Sequence, residues 1–244
     1  AYIFDAVRTP RGRGKKDGSL HSVKPITLLT TMLTALQQRN SLDTAQVDDI
    51  VMGCVTAVGD QGADIAKTAA LAADWDEKVA GVTLNRFCAS GLDAVNLGAS
   101  KVATGMEDLV VAGGVESISR VPMFSDEGPW FADPEVARKT RFVQMGFAAD
   151  VVASRAGFER STLDEYAVES HRRAARASEE GYFDETLVPV TDEDGEPILE
   201  RDELIRPATS VDKIADFDPA FADEQSEQFA AEVYPDLDLR HLHH

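Results

Sequence analysis

Along the first 120 residues, apolar positions alternate between short continuous runs and stretches spaced by three and four, the respective signatures of buried strand and amphipathic helix. Residues 2–7, 50–53, 79–84 and 109–112 are strand candidates, each ending near Gly, Asn or an Arg-Thr-Pro turn. Between them, residues 25–38 place Leu28, Leu29, Met32, Leu33 and Leu36 at helical spacing, and residues 63–73 form an Ala-rich helix candidate. Strand and helix in alternation, joined by connections of crossover length, predict an α/β layer architecture built on a mostly parallel sheet.

The rhythm breaks after Glu116. Pro122, Pro129 and Pro134, interspersed with Phe124, Trp130 and Phe131, make a non-repetitive segment where a sheet would otherwise continue. Two helices are predicted beyond it, over 147–156 and 161–180. The second has Ser161 as its N-cap, Asp164 and Glu165 in its first turn, and Gly181 as its stop. Residues 187–190 and 197–199 read as short strands and the rest as loop. The chain therefore divides into residues 1–119 and residues 120–244, with no internal repeat.

Composition changes this picture little. With 244 residues, 43% hydrophobic and 27% charged, the chain is of ordinary globular type and long enough for its own core. No run of about 18 apolar residues occurs and the first residues lack a basic, then apolar, leader, so neither a membrane span nor a signal peptide is expected. Two cysteines allow at most one disulfide, which points to a reducing cytoplasm. The formal charge of -19 opposes phosphate backbones and anionic lipids, so no nucleic-acid partner is expected. The charge is concentrated: from Asp192 onward there are 16 acidic and 4 basic side chains, which leaves a local anion site possible earlier in the chain.

Cys88 stands where the strand at 79–84 gives way to a helix, because Leu92, Val95, Ala99, Val102 and Ala103 recur at helical steps just beyond it. Unpaired N–H groups and the positive end of a helix favour thiolate over thiol, which makes a better nucleophile. The spacing alone fits a buried structural cysteine equally well. Cys54, at the end of the strand at 50–53, reads as structural.

The phrase Asn85-Arg86-Phe87-Cys88-Ala89-Ser90-Gly91-Leu92-Asp93-Ala94-Val95 resembles the nucleophile motif of the thiolase family. Arg8-Thr9-Pro10 is similar to that family's opening, and Gly113-Gly114-Val115-Glu116-Ser117-Ile118-Ser119 to one of its turns. Residues 144–150, 206–210 and 218–221 are similar to segments of the family's loop domain that hold coenzyme A. The resemblance implies a layered αβα domain with a mostly parallel sheet over 1–119 and an irregular, α-rich, coenzyme A-binding domain over 120–244. It implies an acetyl-CoA C-acyltransferase in which Cys88 attacks a 3-ketoacyl-CoA and coenzyme A, a co-substrate and not a resident cofactor, accepts the shortened acyl group. Met145, Arg206 and Phe221 fall on positions that bind coenzyme A. The family's Gly-His-Pro and Cys-x-Gly motifs, which supply a base and a second Cys, are missing, so this polypeptide alone is expected to turn over little and to lack the second thiolase half.

Gln144 in place of the His usual in acetoacetyl-specific members favours a degradative, β-oxidation role, and Arg86-Phe87 with Val121-Pro122-Met123 resembles the thiolase subunits of β-oxidation complexes. A biosynthetic acetoacetyl-CoA thiolase, a non-catalytic acyl-CoA-binding subunit and, third, a decarboxylating ketoacyl synthase are the alternatives. Thiolases are homodimers or homotetramers, some with a hydratase/dehydrogenase subunit, and Gly59-Asp60-Gln61-Gly62 is similar to an interface turn. A lone half would expose the helix after Cys88 as an apolar patch and should pair or aggregate. Residues 12–18 look like a phosphate loop but miss both known spacings and read as a solvated basic loop. His21 has no partner in the sequence, His171 reads as exposed, and His241, His243 and His244 could bind metal adventitiously or belong to a tag. No metal-ligand set of convincing spacing is present.

Overall fold

The computed structural model describes residues 1–222 and 224–243. They form two compact units, residues 1–126 with 183–204 and residues 127–182 with 205–243. Where the sequence pattern suggests one boundary after residue 119, the chain instead leaves the first unit, returns to it and leaves again.

The first unit contains α1 (Pro25–Asn40), β1 (Asp49–Gly53), α2 (Ile65–Ala72), β2 (Ala80–Leu84), α3 (Ser90–Ala103) and β3 (Val110–Gly114). Its three strands are parallel in the order β2-β1-β3. β1 is central and buried along its whole length, which is why it reads as a continuous apolar run. Its alternate residues serve opposite faces. Ile50 and Met52 join Leu29 and Leu33 of α1, Ala66, Ala69 and Ala70 of α2, and Trp75 in the main core. Gly53 faces the start of α3, and Val110 and Ala112 of β3 meet the same helix at Gly98. Helices on both faces of a parallel sheet give the layered αβα arrangement.

Two features stop the layers sliding. Asp64 caps α2, accepting from the Lys67 N–H at 3.3 Å, and the Thr83 hydroxyl of β2 donates to the same carboxylate at 3.0 Å. Lys101 of α3 bonds both Asp49 of β1 and Glu107, the latter at 2.9 Å.

The expected strand at 2–7 is not formed. Tyr2, Ile3 and Phe4 are 89, 83 and 84% exposed, and the first pairing comes at Arg8, which bonds the segment that returns from the other unit. Arg8 N–H donates to the Thr186 carbonyl at 2.8 Å and its guanidinium grips Asp202 at 2.7 and 3.0 Å. A β-favouring sequence with no neighbour to complete its ladder gains nothing from extension. The returning segment carries the antiparallel pair β4 (Val190–Thr191) and β5 (Pro197–Leu199), and Val190 is buried with Leu20, Val23 and Leu28.

The second unit is helical: α4 (Pro129–Ala132), α5 (Pro134–Thr140), α6 (Met145–Ala156), α7 (Arg160–Glu179), α8 (Val211–Ile214) and α9 (Glu224–Val233). α6 and α7 match the predicted helices, but α7 starts after Glu159 with no side-chain cap, so Ser161 is not its N-cap. α4, α5, α8 and α9 occupy stretches expected to be loop. α5 forms because the Asp133 carboxylate accepts from the N–H groups of Glu135 and Val136, a cap hidden in sequence by two flanking prolines. Trp130 and Phe131 pack on Phe142, each with ring centroids 4.9 Å apart. Phe147 and Val151 of α6 pack with Tyr234, Leu237 and Leu239. Among the described residues, no helix is long and apolar enough to cross a membrane.

Candidate active site

β2 ends at Leu84 and α3 begins at Ser90, and the turn between them carries Cys88 as an exposed thiol. Asn85 opens the turn. Its Oδ1 accepts from the Phe87 N–H at 2.7 Å, and its Nδ2 donates to the Val55 carbonyl at 2.9 Å, tying the turn to the loop after β1. Phe87 takes the left-handed conformation, with φ 48°. Ala89 N–H donates to the Arg86 carbonyl at 3.1 Å and Ser90 N–H to the Phe87 carbonyl at 2.9 Å. The Ser90 hydroxyl then accepts from the Arg86 N–H at 2.8 Å and donates to the Phe87 carbonyl at 2.6 Å. Arg86 pairs with Asp93 at 2.7 Å across the first turn of α3. The N-cap residue, Ala89, brings no side-chain oxygen to the start of the helix, which begins two residues after Cys88.

A second network closes the same, carboxyl, end of the sheet, where parallel α/β folds place their ligands. The Glu116 carboxylate, just past β3, accepts from the N–H groups of Val55 and Thr56 at 2.7 and 3.3 Å and from Gln61 Nε2 at 2.7 Å. The buried Gln61 carbonyl in turn accepts from the Ser117 N–H at 2.5 Å. Gln61 lies in the expected interface turn, yet its side chain works inside the unit, joining the loops that follow β1 and β3. The sequence by itself gives no role to Asn85, Ser90 or the Glu116–Gln61 pair, whose partners are distant in the chain or are backbone atoms. Asn and Ser flanking a cysteine at a predicted strand-to-helix junction were the signal on offer.

Cys54 is 1% exposed, and burial, with the Glu116 carboxylate nearby, pushes its thiol up to about 12. It is structural, as its place at a strand end suggests. No disulfide joins the cysteines; both are free.

Met145, Arg206 and Phe221 belong to the second unit. Met145 is the first residue of α6 and 78% exposed. The Phe221 ring lies directly on the next residue, where a Cβ added to Gly146 would come within 2.0 Å of it, so Met145 and Phe221 are brought together. Arg206 is exposed in the loop before α8, and its backbone N–H donates to His171 Nδ1 at 3.2 Å. His171 is thus half-buried and anchors that loop, which corrects the exposed position expected for it.

The C-terminal histidines serve a buried carboxylate. Asp150 of α6 accepts from the N–H groups of Leu242 and His243 at 2.9 and 3.0 Å and bonds the His243 ring at 2.5 Å. His241 sits between Asp150 and Glu227, at 3.5 and 3.2 Å. His244 lies outside the described residues. No group of three or more His, Cys, Asp or Glu able to hold a metal occurs among the described residues. The loop over 12–18 is pinned by Glu203, which accepts from the Arg13 N–H at 2.7 Å, and His21 gives its carbonyl to Arg120 at 2.9 Å.

Comparison with known proteins agrees with this architecture. The sequence profile described as "Thiolase, N-terminal domain" matches residues 1–232. The beta-ketoadipyl-CoA thiolase of Pseudomonas aeruginosa is 36% identical over 244 residues, covering 92% of this chain and 60% of the relative. The 3-ketoacyl-CoA thiolase of Serratia proteamaculans is 38% identical, over 90% of this chain and 57% of the relative. The crystal structure of the Bacillus anthracis acetyl-CoA acetyltransferase superposes with a TM-score of 0.76 at 31% identity, covering 90% of this chain and 58% of that one. The chain thus spans about three fifths of the length of the proteins it matches. A parallel sheet layered between helices, a cysteine presented where β2 meets α3, and a sequence match running through both units place this chain in the thiolase family, over its N-terminal domain.

Proposed function

We propose that Cys88 is the nucleophile of a thiolytic acyl transfer that cleaves a 3-ketoacyl-CoA with coenzyme A, in the degradative direction of fatty-acid β-oxidation. The observation that carries this reading is the exposed thiol held on a closed turn at the start of α3, at the carboxyl end of the sheet. The thiolate attacks the C3 carbonyl carbon and forms a carbon–sulfur bond. As the tetrahedral oxyanion collapses, the C2–C3 bond breaks, its electron pair leaves on the enolate of acetyl-CoA, and that enolate takes up a proton. The thiol of coenzyme A then gives up its proton, which balances the one taken up by the enolate, attacks the acyl-Cys88 thioester, leaves as the shortened acyl-CoA and restores the Cys88 thiolate. In this reading the Cys88 N–H donates to the oxyanion, the kind of fixed donor that contributes most when charge develops in a site shielded from water.

Met145, Phe221 and Arg206 are assigned to coenzyme A. The convergence of Phe221 on the start of α6 supports an apolar seat for the pantetheine chain, and the loop whose backbone His171 anchors supports Arg206 as an exposed guanidinium for phosphate or adenine. The names of the 3-ketoacyl-CoA thiolase relatives favour thiolysis of a 3-ketoacyl-CoA. Condensation of two acetyl-CoA molecules is the second reading, favoured by the name of the structural neighbour. Both free thiols fit a reducing cytoplasm, and a homodimer or homotetramer is the proposed assembly.

The test is peptide mass spectrometry of the full-length gene product after exposure to an acyl-CoA. Acyl label on the Cys88 peptide, and its loss in Cys88→Ser, is the expected result. A fully active protein with Cys88 unlabelled would overturn the assignment. Activity rising with acyl length selects degradation, whereas a preference for acetoacetyl-CoA selects condensation.

A further inference from the structure

The geometry points to Ser90 as a positioning residue for the Cys88 nucleophile, one that clamps the turn and does not cap the helix; this rests on the reading of Cys88 given above. A serine at the N-cap bonds forward, to N–H groups of the first turn, but here that place is held by Ala89 and Ser90 is the first helical residue. Ser90 bonds backward: its hydroxyl accepts from Arg86 and donates to Phe87, the two residues that precede Cys88. The turn needs such a clamp, because Phe87 is a bulky residue at positive φ, a conformation that disfavours any residue with a Cβ.

Asn85 also braces the turn, but it is exposed, and water can replace its bonds. Ser90 is 3% exposed, so nothing replaces its hydroxyl when it is lost. The backbone beneath is fixed as well. Gly53 of β1 approaches so closely that a Cβ there would lie 2.4 Å from the Ser90 carbonyl carbon, which bars the helix start from settling toward the sheet. Ser90 thereby sets where the sulfur stands. A misplacement of about 1 Å in such a group costs on the order of 100-fold in rate.

The test compares wild type, Ser90→Ala and Ser90→Thr in the full-length gene product. It measures acylation of Cys88 by acetyl-CoA, kcat and KM for thiolysis, and labelling of buried Cys54 by iodoacetamide as a reporter of unfolding. Ser90→Ala should slow acylation and lower kcat by about 10- to 100-fold, leave the KM for coenzyme A within about twofold, and leave Cys54 unlabelled. Ser90→Thr, which keeps the hydroxyl, should recover most of the rate. Acylation of Ser90→Ala at the wild-type rate overturns the assignment, as does a Thr variant no better than Ala. Loss of rate only in step with Cys54 labelling also overturns it and makes Ser90 a folding residue. A wild-type protein that is never acylated defeats the nucleophile reading itself, and the assignment falls with it.

Discussion

Burial and the Glu116 carboxylate hold the Cys54 proton far above the ordinary thiol range, while Cys88, 34 positions later, stands in solvent at the start of α3. Iodoacetamide at pH 8 should label Cys88 and spare Cys54, since the thiolate is the reacting form. Peptide mapping over a time course checks this, and Cys54 labelled first would contradict it. The sign of the linkage follows from the same group. Its folded pKa lies above the unfolded value of about 8.5, so its contribution is fully present below about pH 8.5 and is lost as pH climbs toward 12. The place of Cys88 at a strand-to-helix junction is legible in the sequence because the apolar spacing after it fixes where the helix starts, whereas its reading as a nucleophile rests on the family resemblance. The clamp around it is not legible, because the partners of Asn85 and Ser90 are backbone atoms that come within reach only once β1, β2 and α3 have assembled.

Two glycines separate what an element tolerates from what it forbids. A Cβ on Gly98, inside α3, would meet Val110 Cγ1 at 3.1 Å, which a small χ1 change can move, and Ala112 Cβ at 3.2 Å, which moves only with its strand by a few tenths of an ångström. Alanine also gains about 1 kcal/mol over glycine in a helix interior, so Gly98→Ala should leave stability within about 1 kcal/mol of wild type. A Cβ on Gly53 would instead meet backbone, at 2.4 Å from the Ser90 carbonyl carbon and 2.5 Å from the Gly91 nitrogen. Gly53→Ala must push the helix start off the sheet; a loss of about 3 kcal/mol in urea unfolding and slower Cys88 acylation are expected. Equal stability of the two variants would refute the argument. The same distinction explains what was readable at this scale. Central β1 declares itself by the continuous apolar run that follows Asp49, and α1 and α3 by their stripes. Residues 2–7 carry an equally good strand pattern and stay unpaired up to Arg8, because local pattern does not say whether a neighbouring strand exists. The return of 183–204 to the first unit is likewise a long-range event, held by Arg8 with Asp202 and Arg13 with Glu203 across 194 and 190 residues of chain.

For the whole molecule, two electrostatic effects of opposite sign compete as pH falls. The net charge of -19 makes the folded state repel itself, and protonation toward the isoelectric point, near 4.5, relieves that repulsion. Against this, each unit depends on a carboxylate held below its ordinary range. Burial works to raise Asp202 and is outweighed by hydrogen bonds from the Arg8 guanidinium and the Arg11 N–H; burial of Asp150 is outweighed by bonds from the His243 ring and the N–H groups of Leu242 and His243. With folded pKa values below the unfolded value of about 3.9, these two groups contribute fully above that pH and lose their contribution as pH falls through the folded values. Thermal midpoints at low salt should therefore rise from pH 8 toward about 5 and drop below about 4. In 1 M NaCl, where the screening length shrinks to about 3 Å, the rise should flatten while the acid drop persists. Asp202→Asn should cost about 2 kcal/mol at pH 7 and make the acid drop shallower, because a partly buried charge pair is broken and its titration removed. A stability profile that falls steadily from pH 8 to 5, or an Asp202→Asn protein with an unchanged acid limb, would show that neither term carries the weight given to it.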